Sequence, residues 1–122
     1  MNIEQYRNYC MSKKGVTEHF PFDNDTLVFK VLGKMFALVG LEKWEIGDRF
    51  INLKCNPEYA EELRAQYDSI YPGYHMSKIH WNSVSLTTGE ISTKFLIELI
   101  DHSYDMVVKG MPKKVREELN KK

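Results

Sequence analysis

Three aromatics, two histidines, a lysine and a Pro-Gly pair fall within fourteen residues, YPGYHMSKIHWNSV (71–84). Residues of these types can build a metal site, a general acid/base, a nucleic-acid contact, or a pin between structural elements. Spacing argues against the first. His75 and His80 are five positions apart, about 140° around a helix and on opposite faces of a strand. No cysteine or further histidine stands beside either at ligand spacing. Neither a metal nor a cofactor is expected. Nucleophilic catalysis has no better footing. There is no GxSxG elbow, and Cys10 and Cys55 form no CxxC pair. Neither phosphate-cradling loop, GxxxxGK[ST] or GxGxxG, is present. No catalytic residue is therefore assigned. Tyr74, Trp81 and Met76 supply apolar surface, and His75, Lys78 and His80 supply polar tips. Such a loop can wedge a helix against a strand, or offer Lys78 and a histidine to an anion. Composition does not separate the two. Trp81 is expected to be mostly buried, and His80 beside it to be structural; His75 is the more exposed candidate.

The elements that must hold this stretch are legible from periodicity. Residues 2–13 read as a helix with Ile3, Tyr6 and Cys10 on one face. TLVFKVL (26–32) alternates, and Gly33 makes a tight hairpin into MFALVGL (35–41). A polar turn leads to RFINLK (49–54), completing a three-stranded antiparallel meander. NPEYAEELRAQYDSIY is a helix capped by Asn56, with Pro57 at its first position, ended by Pro72-Gly73. Its buried stripe is Ala60, Leu63, Tyr67 and Ile70. Residues 83–86 form a short strand, residues 91–109 a long helix ended by Gly110, and Pro112 opens a basic terminal helix. Within the long helix, His102 is expected to be hydrogen-bonded and half-buried against the sheet. The order α-β-β-β-α-β-α-α implies an α+β fold, an antiparallel sheet with helices packed on it, as one domain over residues 1–122.

One side of that sheet reads as polar. Lys30, Asn52, Lys54, Ser83 and Ser85 share the off-core parity with Phe36 and Phe50, a composition that can contact nucleic acid. The bulk charge gives that idea no help. Lys plus Arg number 17 and Asp plus Glu number 17, for a formal net charge of zero. Any anionic partner must use local asymmetry. Residues 26–54 and 110–122 carry basic excesses, and residues 55–71 an acidic one. Hydrophobic residues at 43% and charged residues at 28% describe an ordinary globular chain. No apolar run reaches the roughly 18 residues of a membrane span. With no secretory leader, the cysteines read as reduced thiols of a cytoplasmic protein.

Four motifs in order, GVTEHFPFDNDTLVFKVLGKMFAL, NPEYAEELR, YPGYHMSKIHWNSV and LIDHSYDMVVKGMPKK, resemble the MmcQ/YjbR family of small bacterial proteins. The resemblance runs from about residue 3 to 120. It implies an α+β fold similar to the "double wing" domain of a phage transcription factor and to type III secretion chaperones. It implies DNA as the partner, and no catalytic residue. The candidate DNA contacts are Lys30, Lys34 at the hairpin, Lys54 and Lys78; Tyr74, His75, His80 and Trp81 mark the signature loop. The alternatives are a protein-interaction or chaperone-like module receiving a partner segment, and, less favoured, a small-ligand binder or enzyme using His75 and His80. A monomer without membrane attachment is expected.

Overall fold

Gly33 takes φ +83° and Leu32 φ +46°, a left-handed pair that closes a two-residue hairpin with the twist its strands require. The turn joins β2 (Thr26–Val31) to β3 (Lys34–Gly40). The computed structural model describes residues 1–74 and 76–122. Before the hairpin come α1 (Ile3–Met11) and β1 (Val16–His19). After it come α2 (Leu41–Glu45), β4 (Phe50–Lys54), α3 (Pro57–Gln66), β5 (Ile70–Pro72), β6 (Trp81–Ser85), α4 (Thr93–Lys109) and α5 (Lys113–Asn120). The strands make one antiparallel sheet in the order β1-β2-β3-β4-β6-β5. The fold is α+β, as the grouping of strands predicts. Among the described residues, no helix is long and apolar enough to cross a membrane.

The core lies between one face of the sheet and the helices. Phe29, Ile51 and Val84 share one buried cluster with Leu96 and Ile100 of α4, and Tyr6 of α1 sets its ring edge-on to Phe29 at 5.6 Å. Alternation along β2 sends Leu27, Phe29 and Val31 into this core and Val28 to the opposite face. Asn56 caps α3 by accepting from the Glu58 and Tyr59 amides, with Pro57 behind it.

Four local expectations change. The helix from Pro57 does not reach Pro72. It stops at Gln66, where Tyr67 turns to φ −122°, ψ +122°. Ile70 and Tyr71 then pair with Val84 and Ser83 as β5. Ile70 keeps helical spacing from Leu63, but pairing with β6 outweighs that periodicity. The polar segment after β3 contains a helix, α2, because Trp44 is buried and stacks near Tyr6 at 6.4 Å. β1 adds an edge strand pinned by an ion pair between Arg7 of α1 and Glu18. Phe36 does not share the face of Lys30. Phe29 pairs with Ala37 and Lys30 with Met35, which leaves Phe36 unopposed in a β-bulge. The bulge turns Phe36 into the core, fully buried and edge-on to Tyr104 at 5.5 Å.

A buried hydroxyl repairs the ladder beside the bulge. Ser103 of α4 donates to the Phe36 carbonyl and accepts from the Lys54 amide at 2.8 Å. One side chain thus ties the long helix to two strands and satisfies two backbone groups.

Candidate functional site

The signature loop is folded against the sheet face opposite the main core. Its two ends are joined where the Gly73 amide donates to the Trp81 carbonyl at 2.8 Å. A Cβ on Gly73 would lie 2.8 Å from the Trp81 Cβ and 3.0 Å from its carbonyl oxygen, so the closure needs glycine. The Ser77 carbonyl accepts from the Trp81 amide. Arg64 of α3 fixes the outgoing limb: its Nε donates to Asn82, and its guanidinium also donates to the Trp81 and Lys78 carbonyls. The His80 carbonyl accepts from the Cys55 amide at 2.8 Å.

Trp81 is 8% exposed and packs on Val28 and Leu38, with Met35 and Met76 beside it. The sheet face opposite the helices therefore has its own small apolar cluster, covered in part by the loop. The polar residues expected to face a ligand there are largely enclosed. Ser83, fully buried, donates to Asn52 and accepts from the Tyr74 amide. Tyr74 meets Phe50 edge-on at 6.0 Å, and the Lys43 ammonium lies 4.5 Å from the Tyr74 ring centre.

Of the candidate lysines, two come together, and Lys30 and Lys78 stand outside their groove. Lys34 and Lys54 line one groove with Met35 and Trp81. Lys30 is the cross-strand partner of Met35. Lys78 is exposed on the loop and does not line that groove. The ring of His80 is not the expected wedge, because the residue is exposed and the loop is held through its backbone instead. His75 lies outside the described residues. Sequence reasoning missed Lys43, Arg64 and Met35. Lys43 was hidden in the unrecognised α2, and only the strand register brings Met35 between lysines.

The remaining chemistry-bearing groups serve structure. Burial pushes the Cys10 thiol up to about 12 and the Cys55 thiol to about 11, so neither supplies a thiolate near neutrality. Among the described residues, no three His, Cys, Asp or Glu side chains could hold a metal ion together. His102 is half-buried and accepts the Asn56 amide through Nε2 at 3.2 Å, as expected of it. Burial lowers its pKa below the ordinary 6.5. The unfolded chain then binds the proton more readily than the folded one. The stability from the neutral ring is complete above the ordinary value and is lost as pH falls through it toward the folded value. Denaturant midpoints from pH 8 to 5 should fall more steeply for the wild type than for His102→Gln; parallel curves would assign the loss to other groups.

A family model described as YjbR matches residues 11–106. The chain is 33% identical to "Uncharacterized protein YjbR" of Escherichia coli K12, over 95% of each chain. It is 42% identical to "Uncharacterized protein YbdF" of Escherichia coli O157:H7, over 78% of this chain and 75% of that one. Among solved structures, a Deinococcus radiodurans protein of family domain DUF419 superposes with a TM-score of 0.87 at 39% identity, covering 98% of this chain and 88% of that one. A Pseudomonas syringae protein superposes at 0.70 and 32% identity, covering 87% and 98%.

Proposed function

The chain belongs to the YjbR family, and from that premise we propose that the basic end of its sheet binds the phosphate backbone of DNA. The observation that carries this reading is the meeting of Lys34 and Lys54 in one groove with Met35 and Trp81, with Lys30 next to it as the cross-strand partner of Met35. Lys34 and Lys54 have no carboxylate among the residues that share their groove. The basic α5, with Lys113, Lys114 and Arg116, begins at the Met111–Pro112 elbow that forms another wall of the groove. A chain of zero net charge has no long-range pull on DNA, so contact relies on this local patch. The patch offers lysine point charges and not the bidentate arginine forks that read guanine. It therefore positions the protein on the backbone with little choice of sequence.

Replacing Lys30, Lys34 and Lys54 together by Gln should weaken binding to unrelated duplexes about equally. Gel shifts at low salt test this. Unchanged affinity in the triple variant would remove the basic end from the contact.

A second reading, a protein partner, is favoured by a different feature. β1 is an edge strand, and Phe20 and Phe22 just beyond it are 48% and 62% exposed. A partner segment adding to that edge would use β1, which does not line the groove of Lys34 and Lys54.

A further inference from the structure

The groove beside the lysines has a character that phosphate contact alone does not use. It has a volume of about 550 Å³, within the roughly 300–1,000 Å³ typical of small-molecule sites. Leu32 and Met35 from the β2–β3 hairpin form one wall, with Trp81 beside them. Val107 of α4, Met111 of the α4–α5 link and Val115 of α5 form the other. The only charged lining groups are Lys34 and Lys54, and neither makes a carboxylate ion pair among the described residues. We infer that this groove, between the α4–α5 elbow and the β2–β3 hairpin, binds a small amphipathic carboxylate: an apolar body against the methionines and Trp81, with its anion on Lys34 and Lys54.

Each part of the groove suits that ligand. Thioether side chains adapt to irregular apolar shapes, and an indole offers a broad flat face. An ammonium on a flexible stem meets a carboxylate as a point charge without demanding one orientation. Lys54 is half-buried, so part of its stem already belongs to the apolar surface while its amine reaches outward. The groove borders the ends of β3, β4 and β6, strands interior to the sheet order. Its walls come from a hairpin and a helix elbow, and a volume of about 550 Å³ suits a discrete small molecule.

The site stands independently of DNA binding, because its test contains no nucleic acid. Decanoate, kept below its micelle concentration, is titrated into the isotopically labelled full chain while amide and indole NMR shifts are followed. Decanol serves as the neutral match. The expected result is saturable shifts at Lys34, Met35, Lys54, the Trp81 indole and Met111. Decanoate should bind at least about tenfold more tightly than decanol, and Lys34→Gln/Lys54→Gln should remove at least about tenfold of the decanoate affinity, as expected for loss of charged hydrogen bonds. Circular dichroism of the double variant verifies its fold. Equal binding of decanol and decanoate would overturn the inference, as would unchanged decanoate affinity in the double variant. Shifts confined to the Phe20–Phe22 surface, or none up to the solubility limit, would overturn it too.

Discussion

Trp81→Ala is expected to destabilise the chain by about 3–5 kcal/mol, the usual cost of truncating a buried tryptophan. This indole lies outside the main core. It lies on the open side of the sheet against Val28 and Leu38, which are 0% and 3% exposed. Removing it exposes both and leaves Met76 without its neighbour. The backbone of Trp81 also closes the signature loop through Gly73 and receives Arg64. Alanine keeps these backbone bonds but removes the ring that anchors them to Val28 and Leu38, so the loop between Gly73 and Trp81 should loosen before the rest of the fold. Urea denaturation gives the global effect, and amide exchange in the loop gives the local one. An unchanged denaturation midpoint would mean that the ring works at the surface.

The second large effect is expected at Ser103, where Ala should cost about 2–4 kcal/mol. The side chain is fully buried and its hydroxyl serves two backbone groups, the Phe36 carbonyl and the Lys54 amide. Alanine removes little volume but leaves both without this partner in a dry seam. The energetic cost arises from desolvated polar groups, since almost no apolar area is lost. Thermal or chemical denaturation of Ser103→Ala measures it. A loss below about 0.5 kcal/mol, the lower end for a single net hydrogen bond, would mean that the bulge closes on itself once the hydroxyl is gone.

These two residues mark what was legible in the sequence. Burial of Trp81 could be anticipated from the cost of leaving an indole wet, although its strand alternation does not point it into the main core. The role of Ser103 could not, because it depends on a bulge at Phe36 with no local signature. The same bulge defeated the parity that placed Phe36 beside Lys30. Strong alternation in TLVFKV and the Leu32-Gly33 turn made the central hairpin readable. VTEH was not readable as a strand, since an edge strand needs only one neighbour and its side chains stay half-exposed or exposed. The apolar stripe of α3 ran on into Ile70, where cross-strand pairing overrode it. For the site, the lysines were visible as residue types, but the meeting of Lys34 and Lys54 with Met35 and Trp81 required the tertiary fold. Lys78 was expected to offer its charge and His80 its ring as a wedge, and the structure leaves both residues exposed, with their backbone groups engaged in holding the loop.

The central claim is that Lys30, Lys34 and Lys54 act together on a phosphate backbone. Fluorescence anisotropy of a labelled duplex, titrated with wild-type chain and with the Lys30→Gln/Lys34→Gln/Lys54→Gln variant across a range of salt, tests it most directly. Each neutralised phosphate contributes about −0.9 to the slope of log affinity against log salt. Three lysine contacts predict a wild-type slope of about −3, falling close to zero in the variant. Absence of wild-type binding at the lowest salt, or the same slope for both proteins, would contradict the account.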